Sequence, residues 1–156
     1  MHNRRRSWWS ISKPSSSLAH PAIDQGAVAV ANARRLIDAA AMLRVPTLST
    51  EQNAGGLGPN LAPDPAVLVH KMTFDACREP DFLRRLAKHH AIVVAGCEAH
   101  VCVLQTVLGL IDNGRRVFLM RDALGSRRAE SKRLRSVGWS AMGRRSSPLR
   151  WSCSNG

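Results

Sequence analysis

Cys102 is the residue whose type and position most clearly suggest chemistry. It follows a continuous apolar run at residues 91–95, typical of a strand buried on both faces, and it lies at the start of an apolar stretch with helical spacing. In the first turn of a helix, free backbone N–H groups and the positive end of the helix dipole favour a thiolate. Because the same N–H groups can stabilise an oxyanion, this pattern is compatible with a nucleophilic cysteine.

Spacing alone leaves two other interpretations of Cys102 open. A single cysteine at an apolar helix start is more often a small core residue than a nucleophile. Alternatively, Cys97, His100 and Cys102 could hold a metal ion. This second interpretation is weak, because the spacing lacks both the CxxC pair and the HExxH pattern of common zinc sites.

The elements that must position Cys102 alternate between helix and strand. Helical periodicity and composition predict helices at residues 27–43, 79–89 and 101–112, with a further helix starting at Arg127 after a Ser126 cap. Apolar runs predict strands at residues 45–50, 66–70, 91–95 and 116–120. This alternation predicts an α/β fold whose parallel sheet is covered on both faces, and ligands of such sheets lie beyond the carboxyl ends of strands.

The positive charge of the chain is concentrated at its two ends. The net charge is +12, of which residues 27–131 contribute only +3. We therefore predict an irregular basic segment at residues 1–26, a folded domain at 27–131 and an irregular basic tail at 132–156. A nucleic-acid-binding role is disfavoured, because it needs a basic face with interleaved aromatics and only Trp8 and Trp9 beside residues 4–6 resemble one.

The cysteine content and hydrophobicity predict a cytoplasmic protein with reduced thiols. The four cysteines are Cys77, Cys97, Cys102 and Cys153. No signal peptide is recognised at the amino end, and no apolar run approaches the roughly 20 residues that a membrane span requires. We therefore expect no membrane partner and no disulfides.

Four segments resemble motifs of the isochorismatase-like cysteine hydrolases, in the family's order: TEQNAGGLGPN, HKMTFDA, AGCEAHVCVLQT and GLIDNGRRVFLMRDALGSR. The resemblance covers residues 27–131 and points to the isochorismatase domain-containing branch. It implies a Rossmann-like three-layer fold and hydrolysis of a small amide or related substrate, without a cofactor. The metal-binding set of the nicotinamidase branch is not matched, so we predict no metal. Because family members are often oligomeric, a homo-oligomer is also implied.

The resemblance assigns roles to individual residues. Cys102 matches the nucleophile and Lys71 the triad lysine, whereas without the resemblance Lys71 would be taken for a solvated surface residue. The Cys97–Glu98 bond matches a non-proline cis peptide that turns the N–H of Glu98 toward the site, beside that of Cys102, as the oxyanion hole.

Two further residues are candidates for lining the pocket. Gln52 belongs to the TEQ motif, and Phe74 belongs to the HKMTFDA motif. A core position is equally open for Phe74.

The resemblance fails where the family's first strand should end in a general-base aspartate. Residues 6–13 hold no acid there, and Asp24 lies past the expected position. Our hypothesis is that both ends of the chain are translated from a shifted reading frame. Permitted codons for residues 8–14, when read one base earlier, can encode Leu-Val-Val-Asp-Ile-Gln. Permitted codons for residues 133–156, read with the same shift, can encode a helix, a turn and a strand. The fold is then incomplete at its first and C-terminal strands. The coding DNA tests this hypothesis.

The missing aspartate lowers the expected activity. General-base assistance is typically worth roughly 10²–10⁴-fold, so the chain as written is expected to be poorly stable and weakly active or inactive. A non-catalytic interaction or oligomer module of the same fold is therefore the alternative function.

Overall fold

The computed structural model describes residues 8–12, 26–52, 67–88, 91–96, 99–126 and 150–152. A 3-10 turn at Ala76–Arg78 precedes the second helix, and a π-helical turn at Ala99–Val103 leads directly into the third. The other elements, in chain order, are β1 (Trp8–Ser12), α1 (Gly26–Met42), β2 (Thr47–Gln52), β3 (Leu68–Lys71), α2 (Pro80–Arg85), β4 (Ile92–Gly96), α3 (Leu104–Asp112), β5 (Val117–Leu124) and β6 (Arg150–Ser152).

The strands form one parallel sheet in the order β3-β2-β1-β4-β5-β6. This is the doubly wound order, in which the chain starts in the middle and builds outward in both directions. The direction of building reverses between β1 and β4, and the crevice at such a switch point is the usual ligand site. The predicted α/β fold with a Rossmann-like sheet is therefore confirmed.

Two hydrophobic clusters, one on each face of the sheet, establish the three layers. The larger cluster joins the sheet to α2 and α3, and its fully buried members include Leu48, Phe82, Val94, Val107 and Leu119. The smaller cluster joins α1 to the sheet through small side chains: Ala33, Ala95 and Ala123. Because alternate residues of β4 serve opposite clusters, the run at residues 91–95 is apolar throughout, as the sequence predicted.

The predicted helix at residues 79–89 is shorter in the structure. Leu86 is already extended and ends α2 as its C-cap. The guanidinium of Arg115, itself buried, donates to the carbonyl oxygens of Leu86 at 2.9 Å and Ala87 at 2.6 Å. These charge-assisted bonds take up carbonyls that a longer helix would use internally, so tertiary contacts set the end of α2.

Each terminal segment that we predicted to be irregular contains a short strand. β1 pairs with both β2 and β4, and β6 pairs with β5 at the sheet edge. Tryptophan and isoleucine favour extended backbone, and the gap between β2 and β4 provides two rows of hydrogen-bonding partners for any segment that enters it. The boundaries at residues 26 and 132 remain a prediction, as does the frame hypothesis.

No helix in the described part of the chain is long and apolar enough to cross a membrane. The helix predicted from Arg127 lies outside the described residues.

Candidate active site

The candidate site lies at the carboxyl edge of the sheet. Gln52 is the last residue of β2 and Lys71 is the last residue of β3, and the parallel register pairs the two directly. Cys102 lies in the π-helical turn that follows β4. Since parallel strands end at the same edge, three segments that are far apart in sequence bring their side chains together there.

One oxygen atom joins the three side chains. The amide Oε1 of Gln52 accepts a hydrogen bond from the Lys71 ammonium at 3.2 Å and from the Cys102 thiol at 3.4 Å. Lys71 is only 2% exposed, whereas Cys102 is half-buried. The structure thus places a buried cation and a half-buried cysteine on either side of a shared acceptor.

Backbone carbonyls hold the rest of the Lys71 ammonium. Its Nζ donates to the carbonyl oxygens of Thr73 at 3.0 Å and Phe74 at 3.1 Å. A buried ammonium is costly unless its donors are satisfied, so these contacts account for a lysine in this position. Nothing in the sequence indicates that Phe74 contributes through its backbone.

A cleft of about 430 Å³ is lined by residues that neighbour Lys71 and Cys102 in the chain, and Gln52, Lys71 and Cys102 are not among its lining residues. The side chain of Phe74 is 54% exposed and lines the cleft, so it does not occupy the core position that the sequence left open. The other lining residues are Met72, Thr73, Asp75, Arg78, His100, Val101 and Gln105. The cleft is thus formed by the segment after Lys71 and the helical turn that carries Cys102.

His100 is anchored at the edge of this cleft. Its Nδ1 lies 3.1 Å from the hydroxyl of Ser126, and that serine is buried. The sequence predicts Ser126 as the start of a helix and gives no sign of this contact.

Some predicted site features lie outside the described residues. These are the Cys97–Glu98 peptide and the N–H of Glu98, which was assigned to the oxyanion hole. Among the residues that the structure describes, no group of three or more histidine, cysteine, aspartate or glutamate side chains could hold a metal ion. The alternative metal site included Cys97, so one of its three members is also outside the described part.

Cys77 provides an internal comparison for Cys102. Burial, and after it the Asp75 carboxylate, raises the pKa of the Cys77 thiol far above its ordinary value of 9.0.

We expect iodoacetamide at mildly alkaline pH to alkylate Cys102 and to leave Cys77 unmodified until the chain is unfolded in urea, as measured by peptide mass mapping. Above pH 9 the unfolded chain releases the Cys77 proton while the folded chain keeps it, so rising pH favours unfolding. Equal alkylation rates for the two cysteines in the folded chain would contradict this prediction.

The Isochorismatase domain model matches residues 16–136, which is most of the chain. The chain belongs to the isochorismatase family. Isochorismatase domain-containing protein 2 from Danio rerio is 31% identical over 112 residues, which cover 69% of this chain and 57% of that protein. The same protein from Xenopus laevis is 33% identical over 103 residues, covering 50% of its length. This isochorismatase family chain therefore spans about half the length of the curated relatives that it matches.

A solved structure shares both fold and sequence with this isochorismatase family chain. The MAR1 ribonuclease from Caenorhabditis elegans superposes with a TM-score of 0.76 at 29% identity, covering 94% of this chain and 77% of its own. The YcaC gene product of Escherichia coli, an octameric hydrolase of unknown specificity, has a TM-score of 0.75, covering 94% of this chain and 76% of its own. At 20% identity, the YcaC likeness establishes the fold alone.

β1 differs from what the family resemblance implies for the first strand of this isochorismatase family chain. It occupies the centre of the sheet, where its last residue, Ser12, is paired with Thr50 and Gly96. None of its five residues is acidic. The strand position is thus present, while the aspartate that the family resemblance led us to expect there is absent from the strand.

Proposed function

We propose that this chain is an isochorismatase-family cysteine hydrolase that acts on a small amide or a related substrate, with Cys102 as the nucleophile. The observation that carries the proposal is the shared oxygen of Gln52, which places the Cys102 thiol and the Lys71 ammonium on one acceptor. The residues that follow Lys71 and those on either side of Cys102 line an open cleft. A core cysteine would have no reason to meet a buried cation at the edge of a crevice.

The proposed reaction has two steps. The sulfur of Cys102 attacks the substrate carbonyl carbon, and the C–N bond then breaks, releasing the amine with a proton and leaving a thioester. Water next attacks the thioester carbonyl, giving the carboxylic acid and restoring the thiol. In both steps the backbone N–H groups of Cys102 and Glu98 stabilise the oxyanion, as the family resemblance implies.

Lys71 and Gln52 have separate tasks in this proposal. The ammonium of Lys71 provides the positive charge that balances the thiolate, so it lowers the cost of forming the nucleophile. The amide of Gln52 orients the thiol and the ammonium, but it has no useful basicity and does not take the proton. Turnover is therefore slow, since the loss of a general base typically costs roughly 10²–10⁴-fold.

The size of the cleft supports a small-molecule substrate. A volume of about 430 Å³ suits a compact ligand, and the exposed Met72 and Phe74 side chains provide apolar contacts for it. The reaction needs no cofactor and no metal. We place the protein in the cytoplasm, where Cys77 and Cys102, both unpaired with other cysteines in the structure, would stay reduced.

A second candidate function is a non-catalytic oligomer module of the same fold. It is favoured by the lack of an acid in β1 and by the octameric state of the E. coli structural neighbour. Homo-oligomer formation is also compatible with a weak hydrolase. Turnover in the experiment below therefore separates the two candidates, whereas size alone does not.

Trapping of the covalent intermediate tests the proposed function. We expect incubation of the chain with a panel of small amides and esters, followed by acid quenching, to give an acyl adduct on the peptide that contains Cys102. Peptide mass mapping detects the adduct, and neutral hydroxylamine removes it because it is a thioester. An RNA oligonucleotide belongs in the panel, because the C. elegans relative is named a ribonuclease. RNA cleavage, or amide turnover that persists while Cys102 is blocked by alkylation, would contradict the proposal.

A further inference from the structure

We propose that Thr106 is a positioning residue that fixes the Lys71 ammonium relative to the Cys102 thiol. This inference rests on the proposed function, in which those two groups act together. Thr106 is buried and lies four residues after Cys102 in the same continuous helical segment. It acts through the backbone of residue 74, so it is not itself a catalytic residue.

The hydroxyl of Thr106 makes two hydrogen bonds to one short stretch of backbone. It donates to the carbonyl oxygen of Phe74 at 3.3 Å and accepts from the N–H of Ala76 at 3.1 Å. The Phe74 carbonyl oxygen is the same atom that accepts a hydrogen bond from Lys71 Nζ at 3.1 Å. One side chain of the helical segment therefore sets the position of an acceptor for the lysine.

These contacts close a ring. The helical backbone connects Cys102 to Thr106. The Thr106 hydroxyl donates a hydrogen bond to the Phe74 carbonyl oxygen, and the same oxygen accepts a hydrogen bond from Lys71. The ammonium then shares the Gln52 oxygen with the thiol from which the ring began. Because each member limits the freedom of the next, the Thr106 hydroxyl is one of the groups on which the distance between ammonium and thiol depends.

The segment after Lys71 also approaches α3 closely at a second point, where the Asp75 side chain lies against Gly109. Gly109 lies three residues beyond Thr106, and a methyl group added there would lie 2.7 Å from a carboxylate oxygen of Asp75. That carboxylate in turn accepts a hydrogen bond from the N–H of Cys77 at 2.8 Å. The segment after Lys71 therefore lies against α3 at two points, Thr106 and Gly109.

The test compares Thr106→Val with Thr106→Ser in the full chain. Valine keeps the shape and removes the hydroxyl, whereas serine keeps the hydroxyl. The readout is the rate at which iodoacetamide alkylates Cys102, followed across neutral and mildly alkaline pH by peptide mass mapping. We expect Thr106→Val to slow alkylation near neutral pH by about tenfold, because the thiolate loses a well-placed cation, and Thr106→Ser to restore the rate.

A matched control is Thr47→Val, at the amino end of β2 and the opposite edge of the sheet from the site. It is expected to alkylate at the unsubstituted rate. An unchanged Cys102 rate in a folded Thr106→Val chain overturns the inference. Should Thr106→Val fail to fold, Thr106→Ala removes the same hydroxyl with a smaller side chain, and an unchanged rate in a folded Thr106→Ala chain overturns the inference equally.

Alkylation requires no substrate, so this test is independent of turnover. If no amide is hydrolysed but the alkylation rate falls in both Thr106→Val and Lys71→Met, the proposed function fails while the positioning role stands. If amides are hydrolysed through Cys102 but Thr106→Val leaves both the alkylation rate and kcat unchanged, the positioning role fails alone.

Discussion

Replacing Gln52 with glutamate is expected to raise the hydrolase activity of the chain by roughly 10²-fold. Glutamate has nearly the same shape as glutamine, so its carboxylate would occupy the position that now lies 3.4 Å from the Cys102 sulfur and 3.2 Å from the Lys71 nitrogen. A carboxylate there can accept the thiol proton, which an amide cannot do. The buried Lys71 ammonium offsets the cost of burying the new charge.

The gain should appear in kcat for whichever amide of the panel reacts, measured by release of the amine. Asn113→Asp is the matched control, since it makes the same amide-to-carboxylate change at the far end of α3, where residue 113 is exposed. It is expected to leave the rate unchanged. A folded Gln52→Glu chain that is no faster than the unsubstituted chain would show that the group at position 52 does not exchange a proton with the thiol.

Removing the thiol should have the opposite effect. Cys102→Ala is expected to lower kcat by roughly 10³-fold or more, because it removes the sulfur that forms the proposed covalent intermediate. Measured in the Gln52→Glu chain, the same substitution should remove the whole gain, since a base at position 52 is useful only if a nucleophile remains. The two substitutions are therefore expected to be strongly non-additive, which amine release from the four combinations measures directly.

Cys77→Ala serves as the control for this loss, since it also removes a partly buried thiol while leaving the candidate site intact. Both alanine variants should give the far-UV circular dichroism of the folded chain. Substantial turnover by a folded Cys102→Ala chain would refute the nucleophile assignment, and attention would then turn to the other groups around the cleft, such as His100 and its partner Ser126.

The helical segment after β4 shows which structural features the spacing of apolar residues predicts and which it does not. The apolar spacing predicted a helix at residues 101–112, and the α-helical part runs from Leu104 to Asp112. The turn that contains Cys102, Ala99–Val103, is a π-helix. The apolar periodicity does not reveal it, because a single turn with i→i+5 hydrogen bonds is too short to change the spacing of apolar residues. The sequence also did not predict the contacts of Thr106 and the buried Arg115. Neither a threonine in a helix nor an arginine beside a glycine indicates which distant residues it contacts.

The sequence alone determined the parallel α/β architecture, because a strand buried on both faces must be apolar throughout and a covering helix must be apolar at intervals. The resemblance of its motifs to the family singled out Cys102 and Lys71. Only the tertiary structure decided that the oxygen of Gln52 lies between them and that the Phe74 backbone supports the lysine. These contacts join residues as many as fifty positions apart. Strand register and helix packing set such distances, and no short segment of the sequence specifies which distant residues they bring together.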